Sequence, residues 1–200
     1  REQYGVPPSW DAEHNPSVFT GPQKTGAHSG PTDRILERGH VFNIDSGVMV
    51  DRYCSDLQRT WYILKEGEHE APMEVQRGFD TIVESIRLAA DAIRPGRLGV
   101  DIDRIARDYI VSQGYDEYPH ALGHQVGRSA HDGGALLGPA WDRYGRLPFI
   151  PLEAGQVFTI EPRLYLENHG VATIEEMVLI HEEGVEFLSS PQHSLFQIKN

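Results

Sequence analysis

Two parts of this 200-residue chain resemble each other, and that internal repeat limits the folds open to it. In the first part, GAHSGP is followed by ILERGHVFNIDSGV; in the second, SAHDGG is followed by PLEAGQVFTIEPRL. The comparison aligns His28 with His131 and Asp45 with Glu161. A chain built from two similar halves can bring their strands together about a pseudo-two-fold axis.

Two acids of the first half lie in a segment that otherwise predicts a β-hairpin. Asp45 and Asp56 are within residues 41–63, which are rich in Val, Ile, Phe, Trp and Tyr. Aspartate is disfavoured in strands, and an ionised carboxylate without a partner is costly to bury. Each acid alone has a plainer interpretation: Asp45 as part of a turn, and Asp56 as the partner of Arg59 on an exposed edge.

The second half repeats the pattern of acids, and this repeat favours a shared role for the acids over the plainer interpretations. Glu161 and Glu175 fall in the strand-like runs 156–166 and 171–180. About the pseudo-two-fold axis, four carboxylates would converge on one point. Two unit charges ~4 Å apart repel by roughly 4 kcal/mol at an effective dielectric constant of 20. Two divalent cations would balance the four negative charges, so we expect a metal site.

Between the two repeats, apolar residues recur at steps of three and four. This spacing predicts an amphipathic helix that begins at Pro72 and is ended by Pro95-Gly96, and a second helix that stops at Gly114. Both helices should cover one side of a sheet, which makes the fold class α+β. The first repeat has no such helices before it, so they are expected upstream of Arg1. We expect one domain over residues 1–200, with half-repeats 1–64 and 65–200.

Composition excludes several classes of protein. The formal net charge of −12 argues against non-specific nucleic-acid binding. No apolar run approaches the ~20 residues of a membrane span. Cys54 is the single cysteine, which rules out a disulfide framework within the chain and favours a reducing, cytoplasmic location.

Three histidines follow the helices in the segment HALGHQVGRSAHDGG, at His120, His124 and His131. A lone histidine is more often a buried structural residue than a ligand. Three within a dozen residues, next to the acid pattern, make one imidazole a credible fifth metal ligand.

The order of motifs DSG, SDLQRT, GHQVGRSAH, TIEP and IEE resembles that of the pita-bread metallopeptidases, which include methionine aminopeptidase, prolidase and aminopeptidase P. The resemblance covers roughly residues 9–188. It implies the pita-bread (creatinase/aminopeptidase) fold, in which a curved antiparallel sheet is covered by helices.

The resemblance also implies roles for individual residues. The ligands of two metals would be Asp45, Asp56, His124, Glu161 and Glu175, with Asp56 and Glu175 bridging. Glu161 would also relay a proton, while His28 and His131 would contact the substrate and the reacting centre. His120, in an HxxxH step to His124, matches the branch that cleaves Xaa-Pro bonds. Supporting positions around the ligands would be Arg59, Thr60 and Glu176.

The implied function is an Xaa-Pro aminopeptidase in which a hydroxide bridging the metals attacks the scissile carbonyl. Four oxygen ligands and one imidazole suit Mn²⁺, Co²⁺, Fe²⁺ or Zn²⁺, and the resemblance favours Mn²⁺. A peptide with a free N-terminus is the expected substrate, and a homodimer the expected assembly. The alternatives are an Xaa-Pro dipeptidase (prolidase) and a metal-dependent lyase or small-amide hydrolase on the same fold.

One departure from the family pattern bears on the substrate. Xaa-Pro enzymes and prolidases commonly carry an arginine just ahead of the last ligand, where this chain reads GVATIEE. Neither Ala172 nor Thr173 can form the ion pair that such an arginine makes.

Overall fold

The computed structural model describes residues 5–24 and 33–199, and within them the chain forms two α-helices and thirteen short strands. The helices are α1 (Met73–Ala92) and α2 (Gly99–Ser112). The strands are β1 (Ser17–Thr20), β2 (Val41–Ser46), β3 (Met49–Val50), β4 (Tyr53–Cys54), β5 (Leu57–Ile63), β6 (Gly123–Val126), β7 (Leu136–Leu137), β8 (Val157–Ile160), β9 (Arg163–Leu166), β10 (Gly170–Thr173), β11 (Glu176–His181), β12 (Gly184–Phe187) and β13 (Phe196–Ile198). Two 3-10 turns, Asp142–Tyr144 and Leu147–Phe149, lie between β7 and β8.

Both helices form where the apolar spacing predicts them. α1 begins directly after Pro72, and α2 ends two residues before Gly114, whose φ of 90° suits glycine and stops the helix. Each helix buries one apolar face, with Ile82 and Ile102 fully covered. Burying such a side chain stabilises the fold by about 1.5–3 kcal/mol. Among the described residues, neither helix is long and apolar enough to cross a bilayer.

The hairpin predicted from 41 to 63 is confirmed as β2 and β5, which pair antiparallel with Asp45 opposite Gln58. Between them, β3 and β4 form a smaller hairpin, whose turn residues Asp51 and Arg52 have positive φ values of 50° and 67°. β2 and β5 belong to a sheet with the strand order β1-β2-β5-β13.

The second half builds the same antiparallel arrangement. β6, β8 and β11 are neighbours in a sheet of order β12-β11-β8-β6-β7, as β1, β2 and β5 are in the first sheet. The two sheets meet where Gln58 and Glu175 exchange main-chain hydrogen bonds of 3.4 and 3.1 Å. The two sheets are therefore joined by main-chain hydrogen bonds at this point.

Each of the two strand-like runs of the second half is interrupted at its acid, which the sequence pattern does not show. β8 and β9 are separated by Glu161 and Pro162, because β8 pairs with β6 and β11 whereas β9 pairs with β10, and proline has no N–H for a ladder. β10 and β11 are separated by Ile174 and Glu175, because β10 pairs with β9 whereas β11 pairs with β8 and β12. The chain changes partners at each acid.

The helices cover one face of the second-half strands. α1 packs on β8, β9, β10 and β12, and α2 on β7. Gly78 lets α1 approach closely, since a Cβ there would lie 2.4 Å from Leu166 Cδ2. Phe158 and Val178 enter the core shared with the helices. Residues next to these in the strands, such as Met177, point to the opposite face of the sheet. On that face the Met177 sulfur contacts the Asp56 N–H.

Ile102→Ala is expected to lower the free energy of unfolding by about 2–5 kcal/mol, because it opens a cavity between α2 and the core. The matched control, Val111→Ala on the same helix, removes a side chain that is 44% exposed and should change stability by no more than about 0.5 kcal/mol. Urea denaturation followed by circular dichroism measures both. Equal losses in the two variants would contradict this description of the core.

Candidate metal centre

The four acids singled out in the sequence all lie at breaks or ends of strands where the two sheets meet. Asp45 is the second-last residue of β2, and Asp56 lies between β4 and β5. Glu161 and Glu175 occupy the interruptions between β8 and β9 and between β10 and β11. Because strands of both sheets end or break at this junction, both sheets can direct carboxylates at one place.

His124 lies among these carboxylates. Its Nε2 is 3.4 Å from Glu161 Oε1, 3.7 Å from Asp56 Oδ2 and 3.9 Å from Glu175 Oε1. One ligand atom from each of Asp56, His124 and Glu175 can be chosen so that all lie within 4.8 Å of one another. The distances are those of ligand atoms arranged around a common centre.

Burial makes the carboxylates resist ionisation in the metal-free chain. Asp45, Asp56 and Glu175 are 3–5% exposed, and burial is the largest cause of the raised pKa of each. The pKa of Asp45 rises to about 7 and that of Asp56 to about 8, the latter also because of the Asp45 charge. The pKa values of Glu161 and Glu175 rise well above normal, first through burial and then through the neighbouring acids.

These residues fit a metal site in composition as well as in geometry. Four carboxylates whose pKa values are raised by burial, three of them also by neighbouring acids, need either protons or cations, and the imidazole of His124 is a nitrogen donor that such cations accept. Oxygen-rich donor sets with one nitrogen suit hard or borderline divalent ions.

The residues predicted to support the ligands connect the two sheets. Arg59 donates to the Glu175 carbonyl at 2.8 Å and to the Glu176 carboxylate at 3.0 Å. Glu176 is fully buried and also accepts hydrogen bonds from Ser189 and from the Gln192 N–H. Arg59 thus holds the segment that contains Glu175.

Thr60 also contacts the second half of the chain. Its hydroxyl bonds to Asn43 and to the carbonyl of Thr173, and its main-chain groups bond to the Gln192 side chain at 3.0 and 2.7 Å. Gln58 accepts from the Thr173 hydroxyl at 3.1 Å. Uncharged polar side chains therefore hold the two sheets in register beside the acids.

The histidines with expected catalytic roles occupy different surroundings. The ring of His131 lies 4.1 Å from that of His124, centroid to centroid, and burial lowers its pKa. His120 packs its ring against Tyr118, and its Nδ1 bonds to the Ala121 carbonyl at 2.7 Å. Because a carbonyl only accepts, this Nδ1 carries the proton. His28 lies outside the described residues.

Thr159, which the sequence motifs do not single out, connects two candidate ligands. The Thr159 hydroxyl accepts from the His124 N–H at 3.1 Å and donates to Glu161 Oε1 at 3.3 Å. Its signal in the sequence is its position two residues before Glu161, which puts both on the same side of a strand.

Comparisons with known proteins agree with this geometry. A model of metallopeptidase family M24 matches residues 2–182. A Staphylococcus aureus protein named only as an uncharacterized peptidase is 35% identical over 189 residues, which is 94% of this chain and 49% of that protein. This chain therefore spans about half the length of the curated relatives it matches.

Solved structures with similar folds include one described as an X-Pro aminopeptidase and one described as an Xaa-Pro dipeptidase. The X-Pro aminopeptidase from Thermotoga maritima has a TM-score of 0.82 at 30% identity, covering 98% of this chain and 51% of that one. The Xaa-Pro dipeptidase from Bacillus anthracis has a TM-score of 0.82 at 26% identity, with the same coverage. Methionine aminopeptidase from Rickettsia prowazekii shares the fold, with a TM-score of 0.68 at 22% identity, 85% of this chain and 71% of that one.

The metal-free protein is expected to lose stability as the pH rises from about 4 to about 8. The carboxyl pKa values are higher in the folded chain than the ordinary 3.8 of aspartate, so the folded state binds more protons across this window. Urea midpoints at pH 5.5 and pH 8, with and without excess Mn²⁺, test this.

Addition of Mn²⁺ at pH 8 should raise the midpoint, because cations replace the protons as partners of the carboxylates. Asp45→Asn should weaken both the pH dependence and the response to Mn²⁺, while the exposed-acid control Glu66→Gln should change neither. A midpoint that is independent of both pH and metal would contradict this account of the centre.

Proposed function

Because this chain belongs to metallopeptidase family M24, we propose that it forms the catalytic part of an Xaa-Pro aminopeptidase that uses two divalent ions. The observation that carries the proposal is the convergence of buried carboxylates from both sheets on His124. The family implies a peptide substrate. The Thermotoga maritima enzyme, described as an X-Pro aminopeptidase, supports the finer specificity.

The residues that would hold the ions are Asp45, Asp56, His124, Glu161 and Glu175, with Asp56 and Glu175 shared. Bound divalent ions supply a Lewis acid for the carbonyl and lower the pKa of a water enough to make it a nucleophile near neutral pH. We propose Mn²⁺ as the native ion. A homodimer in the cytoplasm remains the proposed assembly and location.

The chain's own groups supply the other parts of the reaction. Glu161 is largely buried and hydrogen-bonded to Thr159, so it is held in place to pass a proton to the leaving nitrogen. His131, next to His124, is the donor proposed to stabilise the developing oxyanion, while His28 is proposed to contact the substrate and His120 to take part in catalysis. A bond to proline leaves a secondary amine, whose departure needs this proton.

A second candidate, an Xaa-Pro dipeptidase, is favoured by Arg163. In the β9–β10 ladder this residue is directly opposite Thr173, which with Ala172 occupies the region where related enzymes commonly carry arginine. Arg163 lines a cavity of about 380 Å³ together with Tyr118 and Tyr165, and it interacts electrostatically with Glu161. A guanidinium there can bind the free carboxylate of a dipeptide by paired hydrogen bonds.

Substrate length separates the two candidates. The purified protein with Mn²⁺ is incubated with Gly-Pro, with Gly-Pro-amide and with a longer Gly-Pro peptide, and release of glycine is measured. An aminopeptidase should cleave all three, most efficiently the longer peptide. Cleavage of Gly-Pro alone would replace the first candidate by the dipeptidase. No cleavage of these or of an N-terminal Met peptide would favour a lyase or small-amide hydrolase.

Asp56→Ala should abolish turnover and release metal, since it removes a carboxylate that is central to the cluster. Cys54→Ala alters a nearby buried residue whose sulfur lies 3.8 and 3.7 Å from main-chain carbonyls, and it should retain activity. Metal content by mass spectrometry and peptide cleavage provide the measurements. An active Asp56→Ala variant with full metal content would refute the proposed ligand set.

A further inference from the structure

A buried ion pair on α2 lies outside the metal centre but close to its histidine segment. Arg107 and Asp103 are one turn apart and are 6% and 1% exposed. Arg107 Nε and Nη2 donate to the two carboxylate oxygens of Asp103 at 2.7 and 2.8 Å. The geometry is a bidentate pair, which fixes the plane of the guanidinium.

The remaining groups of this pair are directed at the main chain that follows α2. Arg107 Nη1 donates to the Tyr118 carbonyl at 2.7 Å, and Nη2 donates to the His120 carbonyl at 2.8 Å. Asp103 Oδ1 accepts from the Leu122 N–H at 3.0 Å. Residues 118–122 are therefore held at three points by one ion pair.

The loop before β8 holds the same segment from another direction. Arg143 donates to the Pro119 carbonyl at 2.5 Å, and the Tyr144 hydroxyl accepts from the Ala121 N–H at 2.9 Å. The ring of Trp141 lies 5.1 Å from the Arg107 guanidinium and 4.4 Å from that of Arg143. Each residue from 118 to 122 thus has a main-chain group bonded to a charged or polar side chain.

Residues 118–122 lead directly into the metal centre. His120 is in the middle of the segment, and His124 on β6 lies two residues beyond its last residue, Leu122. The Leu122 carbonyl accepts the N–H of Glu161 at 2.7 Å, so the segment also sets the position of a carboxylate on the neighbouring strand. A shift of residues 118–122 would move His120 and disturb His124 and Glu161.

An ion pair is a costly way to hold a segment if stability alone is needed. Buried pairs often contribute no more than well-packed apolar residues of the same volume. What apolar residues cannot do is bond two carbonyls and one N–H in a fixed relative orientation. Arginine suits this task because its planar fork offers five N–H groups, whereas lysine offers a single ammonium.

We propose that Arg107 and Asp103 are positioning residues of the active site, which fix His120 and, through Leu122, the main chain beside His124 and Glu161. The two residues act through these groups and do not contact the reacting atoms. The effect on turnover rests on the proposed peptidase function, while the effect on His120 does not.

Arg107→Lys keeps the charge but loses the fork, and it should lower kcat for Gly-Pro peptides by about ten- to a hundred-fold with a smaller change in KM. The matched control is Arg104→Lys on the same helix. Arg104 is 65% exposed and pairs with Asp101 at 2.8 Å, so its replacement should leave kcat unchanged. Wild-type kcat in Arg107→Lys, or equal losses in both variants, would overturn the proposal.

A double-mutant cycle with His120→Ala separates positioning from general stability. If Arg107 acts mainly through His120, Arg107→Lys should lower kcat much less in the His120→Ala background than in the wild type. Fully additive losses would overturn the proposed route through His120.

Nitrogen-15 NMR of the histidine side chains gives a readout that does not depend on turnover. His120 should show the Nδ1–H tautomer in the wild type, because Nδ1 donates to the Ala121 carbonyl. This signature should shift or disappear in Arg107→Lys and persist in Arg104→Lys. An unchanged His120 signal would overturn the proposal even if the protein cleaves no peptide, whereas lack of wild-type turnover alone would count only against the proposed function.

Asp103→Asn provides a second variant, since it keeps an acceptor for the Leu122 N–H but removes the charge. It should reproduce the loss of kcat and the change in the His120 signal while circular dichroism remains that of the wild type. Unfolding of both Arg107→Lys and Asp103→Asn would assign the pair to stability and overturn the positioning role.

Discussion

At the junction of the two sheets, buried carboxylates lie close together, and both their burial and their mutual repulsion disfavour the ionised forms. Asp45 and Asp56 come from one sheet and Glu161 and Glu175 from the other, so folding itself creates the unfavourable charge density. Protons can relieve it in the metal-free chain, and divalent cations can relieve it at neutral pH. The centre is therefore a place where the stability of the fold and the binding of ligand are coupled.

The surroundings of the acids show how such a centre is kept in one geometry. Neutral hydrogen bonds from Thr60 and Gln58 hold the sheets in register, and the Arg59–Glu176 pair fixes the chain beside Glu175. The Arg107–Asp103 pair does the same for the segment that leads to His124. In each place charged or polar groups bond to main chain near a candidate ligand. Ligand groups need such support because small displacements have large effects on binding and rate.

Features that depend on local pattern could be predicted well. The helices follow from apolar spacing and from the proline and glycine residues at their ends, and the first hairpin follows from its composition. The interruptions at Glu161 and Glu175 could not be predicted in this way, since they arise where a strand changes its partner. The contacts of Arg59 with Glu175 and Glu176 could not be predicted from local pattern either, because they join residues more than a hundred positions apart.

The residue types available for chemistry, and their order, can be read from the amino-acid sequence, because the internal repeat and the motif contexts are properties of the chain alone. The folded chain was needed to see that His124 lies within 4 Å of three of the acids, and that Arg163 is opposite Thr173. Such distances depend on strand register and on the packing of one sheet against another. Both are set by interactions between distant segments, and local sequence patterns do not encode them.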